Sequence, residues 1–133
     1  RIAMGADDRQ TLQAFLEAES YQGPSLIIAY SHCIAHAYDM RYGLEQQDRA
    51  VRSGYWPLYR FDPRRTANGE NPLQLDSRAP ALPLSDYMYA EGRFRLLTLS
   101  HPQRAGELLA AAEQDVAEQW TRLERLAQPW NGK

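Results

Sequence analysis

The stretch Gly23-Pro-Ser-Leu-Ile-Ile-Ala-Tyr-Ser-His-Cys-Ile-Ala-His36 decides the architecture. Gly23-Pro24 stops any helix before it, because proline cannot continue a helix and glycine tolerates a left-handed exit. Ser25 to Tyr30 is then a continuous apolar run with adjacent Ile27 and Ile28. A run without polar alternation predicts a strand buried on both faces, as in a parallel sheet. Upstream, Ile2-Ala-Met4 reads as the tail of another strand whose beginning lies outside the sequence, closed by Gly5-Ala6. Asp7 or Asp8 is placed to cap a helix between the two, and Leu12, Phe15, Leu16 and Ala18 recur at helical spacing. Strand, helix and strand make a βαβ unit with a right-handed crossover over residues 1–36, ending in the loop Ser31–His36.

Residues 37–83 predict a helix, an extended hairpin and a connector. Asp39 is a candidate cap for a helix with Met40, Leu44 and Val51 as a thin apolar stripe, ended by Gly54 and mostly exposed or packed against something polar. Tyr55–Phe61 is aromatic-rich, and Pro57 confines it to an edge strand or extended segment. A polar turn follows over Asp62–Asn71, and Asn71–Asp76 returns as the hairpin partner. Pro80 and Pro83 mark an irregular connector. Residues 84–128 turn helical, with one or two short helices and then a long one from Gln103 to Ala127, introduced by Ser100 and Pro102. Its stripe Leu109, Ala112, Val116, Trp120, Leu123 and Ala127 steps by three and four. At 1.5 Å per residue such a helix is ~37 Å long, suited to packing along a larger body. Pro129 and Gly132 predict a frayed tail.

The bulk properties narrow the function classes. The chain has 133 residues, enough for one domain with a core. Its net charge of −2, from 15 basic against 17 acidic residues, supplies no basic face for nucleic acid. Its longest apolar run is far short of the ~20 residues that span a bilayer, so no membrane partner is expected. A single cysteine makes no internal disulfide, which fits a reducing, cytoplasmic compartment.

The loop at 31–36 holds that cysteine and two of the three histidines. It also leaves the carboxyl end of a predicted parallel strand, where ligands gather in open α/β sheets. Several roles suit these residues. Cys33 could be a small inert hydrophobe. His32, Cys33 and His36 could bind zinc, with distant His101 as a fourth donor, although the three lie cramped within five residues. Cys33 and a histidine could form a nucleophilic pair, but no orienting partner is evident. An iron–sulfur role has no support from spacing alone, because a cubane cluster takes four thiolates. Arg64-Arg65 and Arg93/Arg95 are weaker anion candidates, read as solvated. The aromatics Tyr55, Trp56, Tyr59 and Phe61 read as packing. No P-loop or Gly-rich dinucleotide fingerprint follows the strand.

Ile2-Ala-Met-Gly-Ala6, Ala14-Phe-Leu-Glu-Ala18 and Gly23–His36 resemble the C-terminal part of the pyruvate:ferredoxin (flavodoxin) oxidoreductases. The likeness runs on through Gly43-Leu-Glu-Gln-Gln47, Ser53-Gly-Tyr-Trp-Pro-Leu-Tyr59, Asn71-Pro-Leu-Gln-Leu-Asp-Ser77 and the last helix, so it covers nearly the whole chain. It implies an oxidoreductase that decarboxylates pyruvate oxidatively, passes the acetyl group to coenzyme A and reduces ferredoxin or flavodoxin. The implied cofactors are thiamine diphosphate with Mg2+ and 4Fe-4S clusters, in a homodimeric parent. These residues would be the last part of its second thiamine-diphosphate-binding domain, an α/β fold incomplete by itself. The family's S-x-C loop maps its cluster ligand onto Cys33, with three further thiolates outside this sequence. The family's Gly-Asp-Gly motif and its later asparagine are also outside it, so no residue here is assigned to pyruvate, thiamine, Mg2+ or coenzyme A. Ala37 departs from the pattern, which has glycine there. The isolated chain is expected to carry no iron, to be inactive and to expose apolar surface. The alternative is a non-catalytic binding or assembly module that retains the fold.

Overall fold

The computed structural model describes residues 1–129, so the expectation for Gly132 lies outside the described residues. It is a mixed helix–strand structure built on a parallel contact and one hairpin. Ile2 N–H donates to Ile28 O (3.0 Å) and Tyr30 N–H donates to Ile2 O (2.9 Å), giving a parallel bridge between Ile2 and Ala29. Helix α1 (Asp8–Ser20) lies between these two segments in the chain. Asp7 starts it by accepting a hydrogen bond from Gln10 N–H at 2.8 Å.

One expectation about this unit is corrected. Residues 25–30 are not buried on both faces: Leu26 is 83% exposed and Ile28 45%. Among the described residues the pairing with Ile2 is confined to one bridge. The helical repeat of α1 likewise faces solvent, with Leu12, Phe15 and Leu16 more than half exposed. Its inner anchor is polar instead. Gln10 is buried and donates to Arg1 O (3.1 Å) and to the Asp76 carboxylate (2.9 Å).

The next helix begins with a short 3-10 turn, Met40–Tyr42, where Asp39 accepts from Arg41 N–H at 3.0 Å. Helix α2 (Gly43–Arg52) follows. Its buried face is Gly43, Gln46, Gln47 and Ala50, while Leu44 is half exposed. Of the two alternatives for this helix the structure shows the polar one, because Gln46 and Gln47 find hydrogen-bond partners inside. The backbone of Leu44 passes so close to Gly5 that a Cβ there would lie 2.5 Å from Leu44 O. Glycine is the residue that permits this approach.

Strands β1 (Tyr59–Phe61) and β2 (Leu73–Leu75) form the anticipated antiparallel hairpin, Tyr59 facing Leu75 and Phe61 facing Leu73. The turn between them contains a 3-10 segment, Pro63–Asn68, capped by Asp62 and closed by Gly69 in the left-handed region. Helices α3 (Leu84–Met88), α4 (Gly92–Ser100) and α5 (Pro102–Leu126) complete the chain. The stripe read for the long helix faces inward: Leu109, Ala112 and Val116 pack on a core of Ala50, Leu84 and Tyr87. Asn71 closes the far end of α5 by donating to Leu126 O (2.7 Å) and Gln128 O (2.6 Å), carbonyls that a helix terminus leaves free. Among the described residues no helix is long and apolar enough to cross a membrane.

Candidate functional site

Cys33 sits in an exposed turn at the carboxyl end of the segment paired with Ile2. It is the N-cap of a 3-10 turn over Ile34–His36, and its Sγ accepts Ala35 N–H at 3.4 Å. His36 N–H donates to Cys33 O (2.9 Å) and Ala37 N–H to Ile34 O (3.0 Å), so the turn is closed by its own backbone. Ala37 leaves it at φ 57°, ψ 60°, the one left-handed non-glycine among the described residues. A residue with a Cβ pays about 1–2 kcal/mol there. That is the physical reason glycine suits this position.

The turn rests on a polar base. On one side Gln47 bridges two segments. Its amide nitrogen meets His32 Nδ1 at 3.0 Å, and its Oε1 accepts Gly5 N–H at 2.8 Å. The His32 ring lies against Gly43, where a Cβ would be 2.7 Å from the ring. On the other side stands Glu91, 0% exposed. Its carboxylate accepts from Gln46 Nε2 (3.1 Å), from Tyr30 OH (3.4 Å) and from the Arg93 guanidinium. The Tyr30 and Tyr87 hydroxyls are 2.8 Å apart. Burial pushes the Tyr30 hydroxyl up to about 12, and burial also raises Tyr87, so both are protonated at neutral pH. One of them then donates to the other, and Tyr30 has its acceptor in Glu91.

His36 points the same way. Its Nδ1 is buried, makes no hydrogen bond and lies 3.6 Å from Glu91 Oε1. One residue further along, Gly92 N–H donates to Ala37 O at 3.0 Å. A Cβ on Gly92 would stand 2.6 Å from Ala37 Cβ and 2.8 Å from Ala37 O. The corner Glu91-Gly92 therefore meets the exit of the cysteine turn through both side chain and backbone.

These contacts decide among the chemistries. His32 and His36 turn to Gln47 and Glu91 and not to a shared centre with Cys33. Among the described residues no three His, Cys, Asp or Glu side chains gather as metal donors. Among the described residues the contacts of His32 and His36 thus favour neither the zinc reading nor a Cys–His pair. A one-thiolate contribution to a larger centre does fit: the sulfur is exposed, alone and held in a closed turn. Of the arginine candidates, Arg64 pairs with Asp62, Arg65 with Glu70 and Arg93 with Glu91, so their charges are used internally. Among the aromatics, Tyr55 and Trp56 pack on the core as read, whereas Phe61 is 64% exposed. Gln46, Gln47 and Glu91 were missed as site residues. The Glu-Gln-Gln run gave no periodic signal, and its partners lie far away in sequence.

No protein-family model matches the chain. It is 56% identical over 126 residues to a pyruvate-flavodoxin oxidoreductase of Rhodospirillum rubrum, covering 95% of this chain and 10% of the relative. It is 54% identical to a pyruvate-flavodoxin oxidoreductase of Trichormus variabilis, with 95% and 11% covered. It is 41% identical to a pyruvate:ferredoxin oxidoreductase of Moorella thermoacetica, with 96% and 11% covered. The chain thus spans about a tenth of the length of these relatives.

Proposed function

From a chain homologous over nearly its whole length to a small part of the pyruvate-flavodoxin oxidoreductases, we propose a segment that lends one thiolate, Cys33, to a 4Fe-4S cluster. The parent enzyme oxidises pyruvate to acetyl-CoA and CO2 and passes electrons to ferredoxin or flavodoxin in the cytoplasm. Its further cofactors are thiamine diphosphate and Mg2+, held by residues outside this chain, and its working form is a homodimer. The described residues are the closing part of a thiamine-diphosphate-binding domain, with 1–36 bearing the cysteine turn, 37–83 its polar support and 84–128 the helices behind it.

The observation that carries this reading is the placement of the chain's sole cysteine. Its sulfur is exposed where a parallel-paired segment ends, and it already accepts a backbone N–H. A cubane cluster needs four thiolates, so a single donor makes sense as a contribution to a shared centre. When bound, the cluster supplies one-electron transfer. What these residues do is hold the sulfur still and leave it accessible. Hydrogen bonds to a ligating sulfur and the groups behind the ligand tune such centres.

Replacement of Cys33 by serine in the intact enzyme tests the assignment. The expected result is less iron per chain, weaker absorbance near 400 nm and loss of pyruvate-dependent acceptor reduction. Unchanged iron and unchanged pyruvate oxidation would overturn it and favour a non-catalytic module.

A further inference from the structure

We propose that Glu91 is the positioning residue of the Cys33 turn, acting through His36 and through the Gly92–Ala37 backbone contact. The inference rests on the reading of Cys33 as a cluster ligand and adds what fixes that ligand's geometry. Glu91 comes from the corner before α4, far along the chain from the turn, and is 0% exposed. A buried carboxylate is costly unless it is paired and hydrogen-bonded. Here Gln46, Tyr30 and Arg93 satisfy it, and each comes from a different part of the fold. The carboxylate is thereby fixed in place. His36 then presents a buried ring nitrogen to it at 3.6 Å with no hydrogen bond elsewhere. Such an orphaned polar atom is uncommon in a folded chain, and the facing Glu91 carboxylate is the partner the geometry offers it.

The backbone contact next door gives the second line of support. Gly92 N–H holds Ala37 O, and Ala37 is the left-handed residue that turns the chain out of the cysteine loop. A strained conformation persists where its surroundings over-determine it. The corner at 91–92 provides that constraint. Gln47 performs the matching service at the entrance by meeting His32. Both histidines of the loop are accordingly struts to a second layer. Groups in that layer orient metal ligands, and their loss costs about 10–100-fold in metal affinity or activity.

Two measurements separate this role from general stability. In the 133-residue chain, amide hydrogen exchange at Ala35, His36 and Ala37 is compared between wild type, Glu91→Gln and His36→Ala. Exchange in the turn is expected to be about three- to tenfold faster in both variants, with α5 protection unchanged. Turn exchange unaltered in both variants would overturn the proposal. If Glu91→Gln also loses α5 protection, His36→Ala decides alone, because it leaves the Gln46 and Arg93 contacts in place. In the intact enzyme, the reduced cluster of His36→Ala should keep its iron and show an altered electron paramagnetic resonance line shape. An unaltered spectrum would count against positioning. Failure of the Cys33→Ser test would remove the cluster assignment, whereas the exchange measurement reads the clamp by itself.

Discussion

At the Cys33 turn, exposed residues stand on a buried polar base of Gln46, Gln47 and Glu91. Across α1 and residues 25–30 the arrangement is inverted. There Leu12, Phe15, Leu16, Leu26 and Ile28 face solvent, while the anchor underneath is Gln10. Both regions contradict the simple expectation that apolar residues go in and polar ones out. The turn shows that a polar side chain is buried readily when every donor and acceptor has a partner. The α1 face shows that an apolar stripe is buried only where another element meets it. These residues account for about a tenth of the length of the homologous enzymes, so a covering layer for that face has ample chain to come from.

The contrast sets a turn braced by buried polar groups against an uncovered apolar face, and mutations can break either half. The largest effect is expected at Tyr87, which is fully buried and joins the polar base to the apolar core. Tyr87→Ala should cost about 3–5 kcal/mol in urea unfolding, since it removes a buried aromatic ring and one of the two partners of the Tyr30 hydroxyl. A cost below about 1 kcal/mol would show that the base is loosely packed. Gly92→Ala comes next, at about 1–3 kcal/mol, because its Cβ would meet the Ala37 backbone and side chain at under 3 Å. Its damage should be concentrated in the exchange of the turn.

Ala37→Gly runs the other way. Relief of the left-handed penalty, less the extra freedom of glycine in the unfolded chain, leaves a gain of about 0.5–1 kcal/mol. A loss of stability would mean that the Ala37 methyl group packs usefully against Gly92. The smallest effect on folding is expected on the opposite face. Phe15→Ser should change stability by no more than about 0.5 kcal/mol, yet reduce self-association of the isolated chain in sedimentation, because it interrupts the exposed stripe. Unchanged association would move the sticky surface to Leu26 and Ile28.

How far the sequence reveals these features depends on the range of the forces involved. The α5 stripe is legible because its period is local and its partner is a single apolar core. The hairpin at 59–75 is legible because proline, glycine and asparagine mark its turn. Cys33 could be placed after a strand by the apolar run before it and given a role by family likeness. The support under it was hidden, since Gln46 and Glu91 are ordinary surface residues until a contact across 45 positions buries both. The exposure of Leu26 was hidden for the converse reason. Hydrophobicity records that a residue seeks cover, and only the assembled neighbours determine whether it has any.

The distance along the chain between the cysteine turn and its carboxylate also has a temporal meaning. Glu91 follows Cys33 by 58 residues, and a ribosome adds about 5–20 residues per second. For roughly 3–12 s of synthesis the thiol is therefore made but not braced. During that interval the nascent turn samples many shapes and Cys33 is at its most open to adventitious oxidants or metals. Arrival of the α4 corner, with Glu91 and Gly92, ends the interval.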